Sequence, residues 1–347
     1  MFHLRAAAAL ALTFGVATTA AASEADPACG RAQSYSAARY GVSVLIQRDG
    51  VAVCEGYANG GTADAAYPIH SGTKSFNGVI AAAAAQDGLL TLDEPVSTSL
   101  GAWRSDPVKA QVTLRQLLQL TSGLGGRPFP APDFDAAVAQ PFTAATGKFQ
   151  YAAAPFQVFG AVMKRKLAAA GRDPDPVNYL KARVFDPIGM SVAGWRRTPG
   201  GDAMLDQGAS LTAREWAKFG EFVRGGGQVD GRPIVDPVVF RSLFTGSAAN
   251  PAYGVGWWLP KANDAPDVVT ARLDLRGHEA DLPPDMVVAA GAGDQRLFVV
   301  PSCRLTVVRQ ARLDAQRIRA ARAAGGEIRD GWSDYAFIKP VLDAYCR

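Results

Sequence analysis

Residues 70–78 read HSGTKSFNG, and the run that follows, VIAAAAAQ, is strongly helix-forming. Ser71 and Lys74 stand three apart in it. Positions i and i+3 share one face of a helix, so a primary amine lies beside a hydroxyl, at the end where the helix dipole is positive. An amine that has lost its proton there can take the proton of Ser71 and turn the serine into a nucleophile. Partial burial and nearby positive charge both favour the free amine. The four-residue pattern SxxK also has a plainer reading, a helix N-cap serine followed by a solvated lysine. Its surroundings must decide. The stretch from Phe76 to Gln86 is apolar on every side, which marks a buried helix, and Asp87 and Gly88 end it. A nucleophile at the start of such a helix is rigidly held.

The chain has 347 residues and opens MFHLRAAAALALTFGVATTAAAS. Arg5, an apolar run, and small Ala20 and Ala22 form the three-part layout of a secretory leader over residues 1–22. No later segment is apolar enough to span a bilayer, so the expectation is an exported protein, periplasmic or secreted, with no stable membrane anchor. Cys29, Cys54, Cys303 and Cys346 remain after cleavage. Four cysteines in an oxidising compartment allow three pairings. Cys29 with Cys54 and Cys303 with Cys346 is the preferred one, each joining a terminal segment to a strand; buried free thiols are the alternative. The formal charge of +4 falls to about +3 without Arg5. Basic residues gather in RQARLDAQRIRAARAAGG, with Arg309, Arg312, Arg317, Arg319 and Arg322. Interleaved aromatics and a recognisable binding module are both missing, so the run reads as a solvated helical insertion and not as a nucleic-acid surface.

Working outward, VSVLIQRDGVAVCEGYA is two β-rich runs joined by the hairpin signal Asp49-Gly50. Downstream, VTLRQLLQLTSGL, APFQVFGAVMKRKLAAAG, NYLKARVFDPIGM and LTAREWAKFGEFVRGGG carry helical periodicity, the last with Thr212 as N-cap. Residues 125–146 form a Pro-, Gly- and Ala-rich loop suited to lining a cleft. Strand character returns in YGVGWWLP, MVVAAGAG, QRLFVVPS and RLTVVRQ, and DYAFIKPVLDAYC closes as a helix. This order implies an α+β domain over residues 23–347. Its mixed, largely antiparallel sheet is built from both termini (about 30–75 and 250–347), flanked by helices, with an inserted helical lobe at about 90–245. The cleft between the lobes is the natural site.

With these landmarks in hand, the chain resembles the serine β-lactamase and penicillin-binding-protein superfamily, closest to its class C β-lactamase-like and esterase branch. PIHSGTKSFNGVIAAAAAQDGLLTLDEPV is similar to that branch's nucleophile helix and following turn. VTLRQLLQLTSGL, FDPIGM, GASLTAREWAKFGEFV, YGVGWWL and GAGDQRLFVVPSCRLTVVRQ follow in the family's order, from about Tyr40 to the last helix. The resemblance implies the serine β-lactamase/DD-peptidase fold. It also implies Ser71 as nucleophile, Lys74 as its proton acceptor, and Tyr151 as the phenol of a YxN motif, sharing the proton relay. Here the third residue of that motif is Ala153, so its amide is gone. The KTG or HxG element falls on Ala292, Gly293 and Asp294, followed by Gln295, which replaces a cation or imidazole by a methyl. By resemblance the oxyanion donors are the backbone N–H groups of Ser71 and Gln295, which need no side chain. Arg296 could restore the missing charge, or be an outward-facing strand arginine.

β-Lactams and D-alanyl-D-alanine ends carry the carboxylate that the missing cation receives, so these departures favour ester or small-amide hydrolysis. A true β-lactamase or D-alanyl-D-alanine carboxypeptidase is one alternative. A catalytically silent penicillin-recognising fold that binds cell-wall fragments or a partner is another. The implied partner is a small ester, amide or peptidoglycan-like substrate, with no metal and no organic cofactor. An α/β-hydrolase is excluded, since Ile69 and Thr73 occupy the glycine positions of GxSxG. A metallo-hydrolase needs more ligands than His70 and His278 supply, and GHEAD at 277–281 reads as a polar loop before a strand. His70 points away from its neighbour Ser71.

Overall fold

The computed structural model describes residues 26–126, 130–264, 273–313 and 331–346. The expected leader and Arg317, Arg319 and Arg322 lie outside the described residues.

Helix α1 (Pro27–Ala37) starts on an Asp26 cap and leads into β1 (Gly41–Arg48) and β2 (Val51–Tyr57). The connecting Asp49 and Gly50 have φ of 52° and 76°. Two successive positive φ values match the twist of a two-residue hairpin, and this is why the Asp-Gly pair was informative. Short β3 (Tyr67–Pro68) delivers the chain to a tight turn, His70–Thr73, and then to α2 (Lys74–Gln86). The middle holds α3 (Leu114–Leu118), α4 (Phe134–Ala139), α5 (Ala154–Ala169) and α6 (Pro176–Leu180). Next come β4 (Gly194–Trp195) and β5 (Ala209–Leu211), which join β3 in a small sheet, and then α7 (Ala213–Arg224). Thr212 caps α7 by accepting from Glu215 N–H. A ribbon of β6 (Gln228–Val229) and β7 (Arg232–Pro233) and helix α8 (Pro237–Ser242) precede β8 (Val287–Gly291), β9 (Gln295–Val300), β10 (Leu305–Ala311) and α9 (Asp334–Tyr345).

The main sheet runs β2-β1-β10-β9-β8; a mixed, largely antiparallel sheet was expected, and every pairing in it is antiparallel. The two ends of the chain meet at β1 and β10, with Gly41 opposite Ala311 and Arg48 opposite Leu305. YGVGWWLP is not a strand. Gly256 at φ 80° breaks the extended run, and only Trp258 reaches the outer edge of β8, where it exchanges two 2.9 Å backbone bonds with Val288.

Side chains alternate across the sheet as the pleat requires. Leu297 and Val299 enter the large core around α2 and α7, while Phe298 and Val300 face α1 and α9. Ala81 to Ala84 of α2 are fully enclosed, their small size letting neighbours close around the helix on all sides. Each large apolar side chain buried around it contributes roughly 1.5–3 kcal/mol. Cys29 pairs with Cys54 and Cys303 with Cys346, tying α1 to β2 and the last residues to the turn before β10. Arg309, expected in a solvated insertion, is instead a fully buried β10 residue. Its guanidinium donates to Gly293 O, Asp294 O, Arg39 O and Ser36 Oγ and lies over Trp332, which satisfies a charge that burial would otherwise penalise.

Candidate active site

Ser71 sits in the His70–Thr73 turn and Lys74 opens α2, so the dyad is at the helix's positive end. Lys74 Nζ lies 3.3 Å from Ser71 Oγ and donates to the main-chain oxygen of Asp206 at 3.0 Å. Lys74 is 3% exposed and Ser71 7%, which excludes the solvated-lysine reading. The amine is 4.9 Å from the ring centre of Tyr151 and 5.3 Å from that of Phe156. The amine is thus enclosed between two aromatic rings and the Asp206 segment.

The turn before the nucleophile is strained. His70 has φ 48°, a left-handed conformation uncommon for a side-chain-bearing residue, and such strain gathers at working sites. Burial, with the charge of Arg196 adding to it, pushes the His70 imidazole down to about 4, so it is neutral near pH 7.

Two glycines let backbone come close. A Cβ on Gly291, at the end of edge strand β8, would meet Ile69 O at 2.0 Å and Gly72 N at 3.1 Å. One on Gly256 would meet Lys74 O at 2.4 Å. The turn that carries Ser71 is therefore pressed against the edge of β8 on one side, and the start of α2 against residues 254–258 on the other. Because Val288 pairs outward with Trp258, the alternation of an antiparallel strand turns the peptide groups of Val287, Ala289 and Gly291 toward β9 and those of Val288 and Ala290 off the edge.

That register corrects three expectations. Gln295 stands opposite Gly291 inside the ladder, and its side chain is bonded to Ala311 through both Nε2 and Oε1, so its amide does not face the nucleophile. Gly293 lies in the turn joining β8 and β9, with φ 74°, beyond the edge strand. Arg296 is neither a substitute charge nor an outward arginine. It is fully buried on the opposite face of the sheet, paired with Asp334 of α9 at 2.6 Å. The residues β8 lays along the nucleophile turn are Ala289, Ala290 and Gly291, so the register read from GAGDQ is offset. The chain's own GAG repeat hid that offset, and a close approach such as Gly291's is visible only in three dimensions.

Tyr151 is half-buried beside the dyad, its ring stacked on Trp258 and edge-on to Tyr253. Its hydroxyl has no hydrogen-bond partner among the described residues, so in this arrangement it offers Lys74 its ring and keeps a free donor. Ala153 is the fully buried N-cap of α5 and supplies no polar group. Sequence reasoning missed Asp206 altogether. It is 1% exposed, with Oδ2 3.9 Å from Lys74 Nζ, and burial pushes its carboxyl above the usual range against the pull of Lys74. The available signal was a carboxylate set between Leu205 and Gln207, just ahead of GASLTAREW. His278 is remote in character from this site: its ring stacks on Tyr335 at 3.6 Å. Among the described residues no three His, Cys, Asp or Glu side chains group so as to hold a metal ion.

A buried serine-lysine pair under the edge of an antiparallel sheet, with a tyrosine across from it, is the arrangement of penicillin-recognising serine enzymes. The profile of the beta-lactamase family matches residues 24–324, and the chain belongs to that family. Among solved structures it is similar to a Bacteroides dorei DSM 17855 protein that carries a provisional beta-lactamase name, at 19% identity and TM-score 0.70, covering 91% of this chain and 97% of that one. EstCE1, a hydrolase with promiscuous acyltransferase activity, follows at 16% and 0.65, covering 92% and 98%. A class C beta-lactamase from Rhodobacter sphaeroides stands at 16% and 0.60, covering 91% and 100%. At these identities the likeness is one of fold. The curated proteins include no match to the sequence.

Proposed function

We propose that this protein is an exported serine hydrolase that cleaves an ester or small amide through an acyl-enzyme on Ser71. The observation that carries the reading is the 3.3 Å approach of Lys74 Nζ to Ser71 Oγ inside an enclosed site. As Oγ bonds to the substrate carbonyl carbon, its proton passes to the lysine amine. The carbonyl oxygen takes the negative charge and is held by backbone N–H groups. Ser71 supplies one. The other is the outward amide just past Gly291, that of Ala292, since the Gly291 backbone is in contact with the nucleophile turn. When the tetrahedral adduct collapses, the lysine returns the proton to the leaving alcohol or amine. Tyr151, with its unengaged hydroxyl, is suited to orient the water that releases the acyl group.

Esters are favoured over β-lactams because β8 offers only alanine and glycine along the nucleophile turn, with no side chain to receive a carboxylate, and Arg296 is committed to Asp334. The paired cysteines support an oxidising compartment.

A fluorophosphonate probe followed by mass spectrometry should label Ser71 in the mature protein and leave Ser71→Ala unlabelled. Turnover of short-chain 4-nitrophenyl esters should exceed that of nitrocefin. Absence of any adduct at Ser71 would overturn the reading in favour of a binding protein, and faster nitrocefin hydrolysis would overturn the choice of substrate.

A further inference from the structure

Lys74 Nζ has to meet the leaving group of the substrate, since it returns the proton there, and a proton passes only across a hydrogen bond of about 3 Å. The surroundings of the amine leave one direction for that approach. Ser71 Oγ stands at 3.3 Å and Asp206 O at 3.0 Å, and the rings of Tyr151 and Phe156 are centred 4.9 and 5.3 Å away. Ser71, Asp206 and Phe156 are buried, at 7%, 1% and 0% exposure. Of these four neighbours only Tyr151 is half-buried, so a group that reaches the amine beside Ser71 runs along the Tyr151 ring.

That ring belongs to a wall. Trp258 stacks on it, with centroids 5.9 Å apart and planes inclined by 25°. Tyr253 stands edge-on to both, 6.2 Å from Tyr151 and 4.8 Å from Trp258. Phe149, from the loop ahead of α5, meets Tyr253 at 5.4 Å and Trp258 at 6.5 Å. Phe149, Tyr151 and Trp258 are each half-buried, while Tyr253 is fully buried. The backbone that carries Trp258 is fixed on two sides. It exchanges its two 2.9 Å bonds with Val288, and Gly256, two residues earlier, is packed against Lys74 O. The strand alongside, β8, adds no polar side chain.

We infer that Phe149, Tyr151 and Trp258 form the leaving-group subsite, and that the substrate is an ester or amide whose alcohol or amine carries an aromatic ring. The inference rests on the serine-hydrolase reading given above. A ring on the leaving group adds to the wall in the offset or edge-on manner in which its members already meet, and a pair of this kind is worth roughly a two- to tenfold factor beyond the area it covers. The bonds made and broken stay those of acyl transfer. Oγ bonds to the carbonyl carbon, the bond from that carbon to the leaving oxygen or nitrogen breaks, and the leaving atom takes from Nζ the proton that came from Oγ. The ring departs with it, so the acyl-enzyme no longer touches the wall.

The test holds the acyl group fixed and varies the alcohol. In wild type, kcat/KM for benzyl acetate should exceed that for ethyl acetate by about tenfold. Cyclohexylmethyl acetate, as large but without a π face, should fall behind benzyl acetate. In Trp258→Ala the benzyl preference should shrink to within about twofold. That loss should fall on acylation, since the acetyl-enzyme is the same from every ester and no longer holds the ring; its hydrolysis after a burst of 4-nitrophenyl acetate separates the two steps. Three results would each overturn the inference: equal wild-type rates on benzyl and cyclohexylmethyl acetate, an undiminished benzyl preference in Trp258→Ala, or a variant slowed chiefly in hydrolysis of the acetyl-enzyme. Should Trp258→Ala fail to fold, Phe149→Leu takes its place, and the wild-type comparison stands without either. Wild type that takes no fluorophosphonate label at Ser71 loses both readings; labelled wild type without a benzyl preference loses this one alone.

Discussion

At the residue scale, the proposed chemistry turns on how little water reaches Lys74. Its 3% exposure and its contacts to Ser71 and the Asp206 segment make it part of the packing as well as of the reaction. Replacing it therefore touches stability too. Lys74→Ala is expected to lower ester kcat/KM by about a thousandfold or more. It should also cost about 1–3 kcal/mol, because it removes the hydrogen bond to the main-chain oxygen of Asp206 and leaves a cavity. Urea unfolding beside an ester assay measures both. Intact stability with lost activity would say that the amine acts only in the reaction. His70 gives a pH signature of its own. The imidazole titrates near 6.5 when unfolded and is pushed down to about 4 in the fold. Between those values the unfolded chain binds more protons. Stability from this group is complete above about pH 6.5 and is lost as the pH falls toward 4, by about 3 kcal/mol in all. His70→Asn, which tolerates a positive φ, should flatten that acid-side loss in urea titrations.

At the element scale, the edge of β8 would set the oxyanion geometry of the proposed reaction, and Gly291 sets the edge. A methyl there would stand 2.0 Å from Ile69 O, a backbone atom that cannot swing aside. Gly291→Ala must shift the strand or the nucleophile turn, so it should cut ester kcat by about a hundredfold. Its KM should move far less. A variant with wild-type kcat would mean that β8 does not form part of the oxyanion site. The opposite face of the same sheet carries a different duty. Arg296 and Asp334 are both fully enclosed and join β9 to α9. Arg296→Met leaves Asp334 buried without its partner, and about 3–5 kcal/mol should be lost in urea unfolding. Residual folded enzyme should keep its kcat/KM, since that arginine faces away from Ser71.

At the scale of the whole molecule, the sheet exists only because the two ends of the chain meet, β1 against β10, with α1 and α9 covering the outer face. The disulfides lie in that same terminal layer and close loops of 25 and 43 residues in sequence separation. Reduction should cost about 3 kcal/mol per bridge through the freedom returned to the unfolded chain. A thermal melt with and without reductant checks this, and an unchanged melting temperature would count against it. Much of the architecture was legible beforehand because it rests on local pattern. The Asp-Gly turn, the apolar helix after Ser71, and the Thr212 cap with the glycines after α7 are each decided by a few neighbouring residues. YGVGWWLP misled for the complementary reason: aromatic and β-branched residues favour a strand, but Gly256 had to approach Lys74 O and broke it.

The chain alone determined the helix that Lys74 opens, the nearness of Ser71 to it, and the family order of landmarks around them, because those follow from spacing along one backbone. Only the tertiary structure decided which carboxylate reaches the amine, which face Arg296 takes, and which glycine of GAG lies under the nucleophile turn. Those are questions of register and burial. A shift of one residue in a strand reverses every side chain, and a carboxylate 132 positions away from Lys74 is brought beside it by packing that no local pattern records.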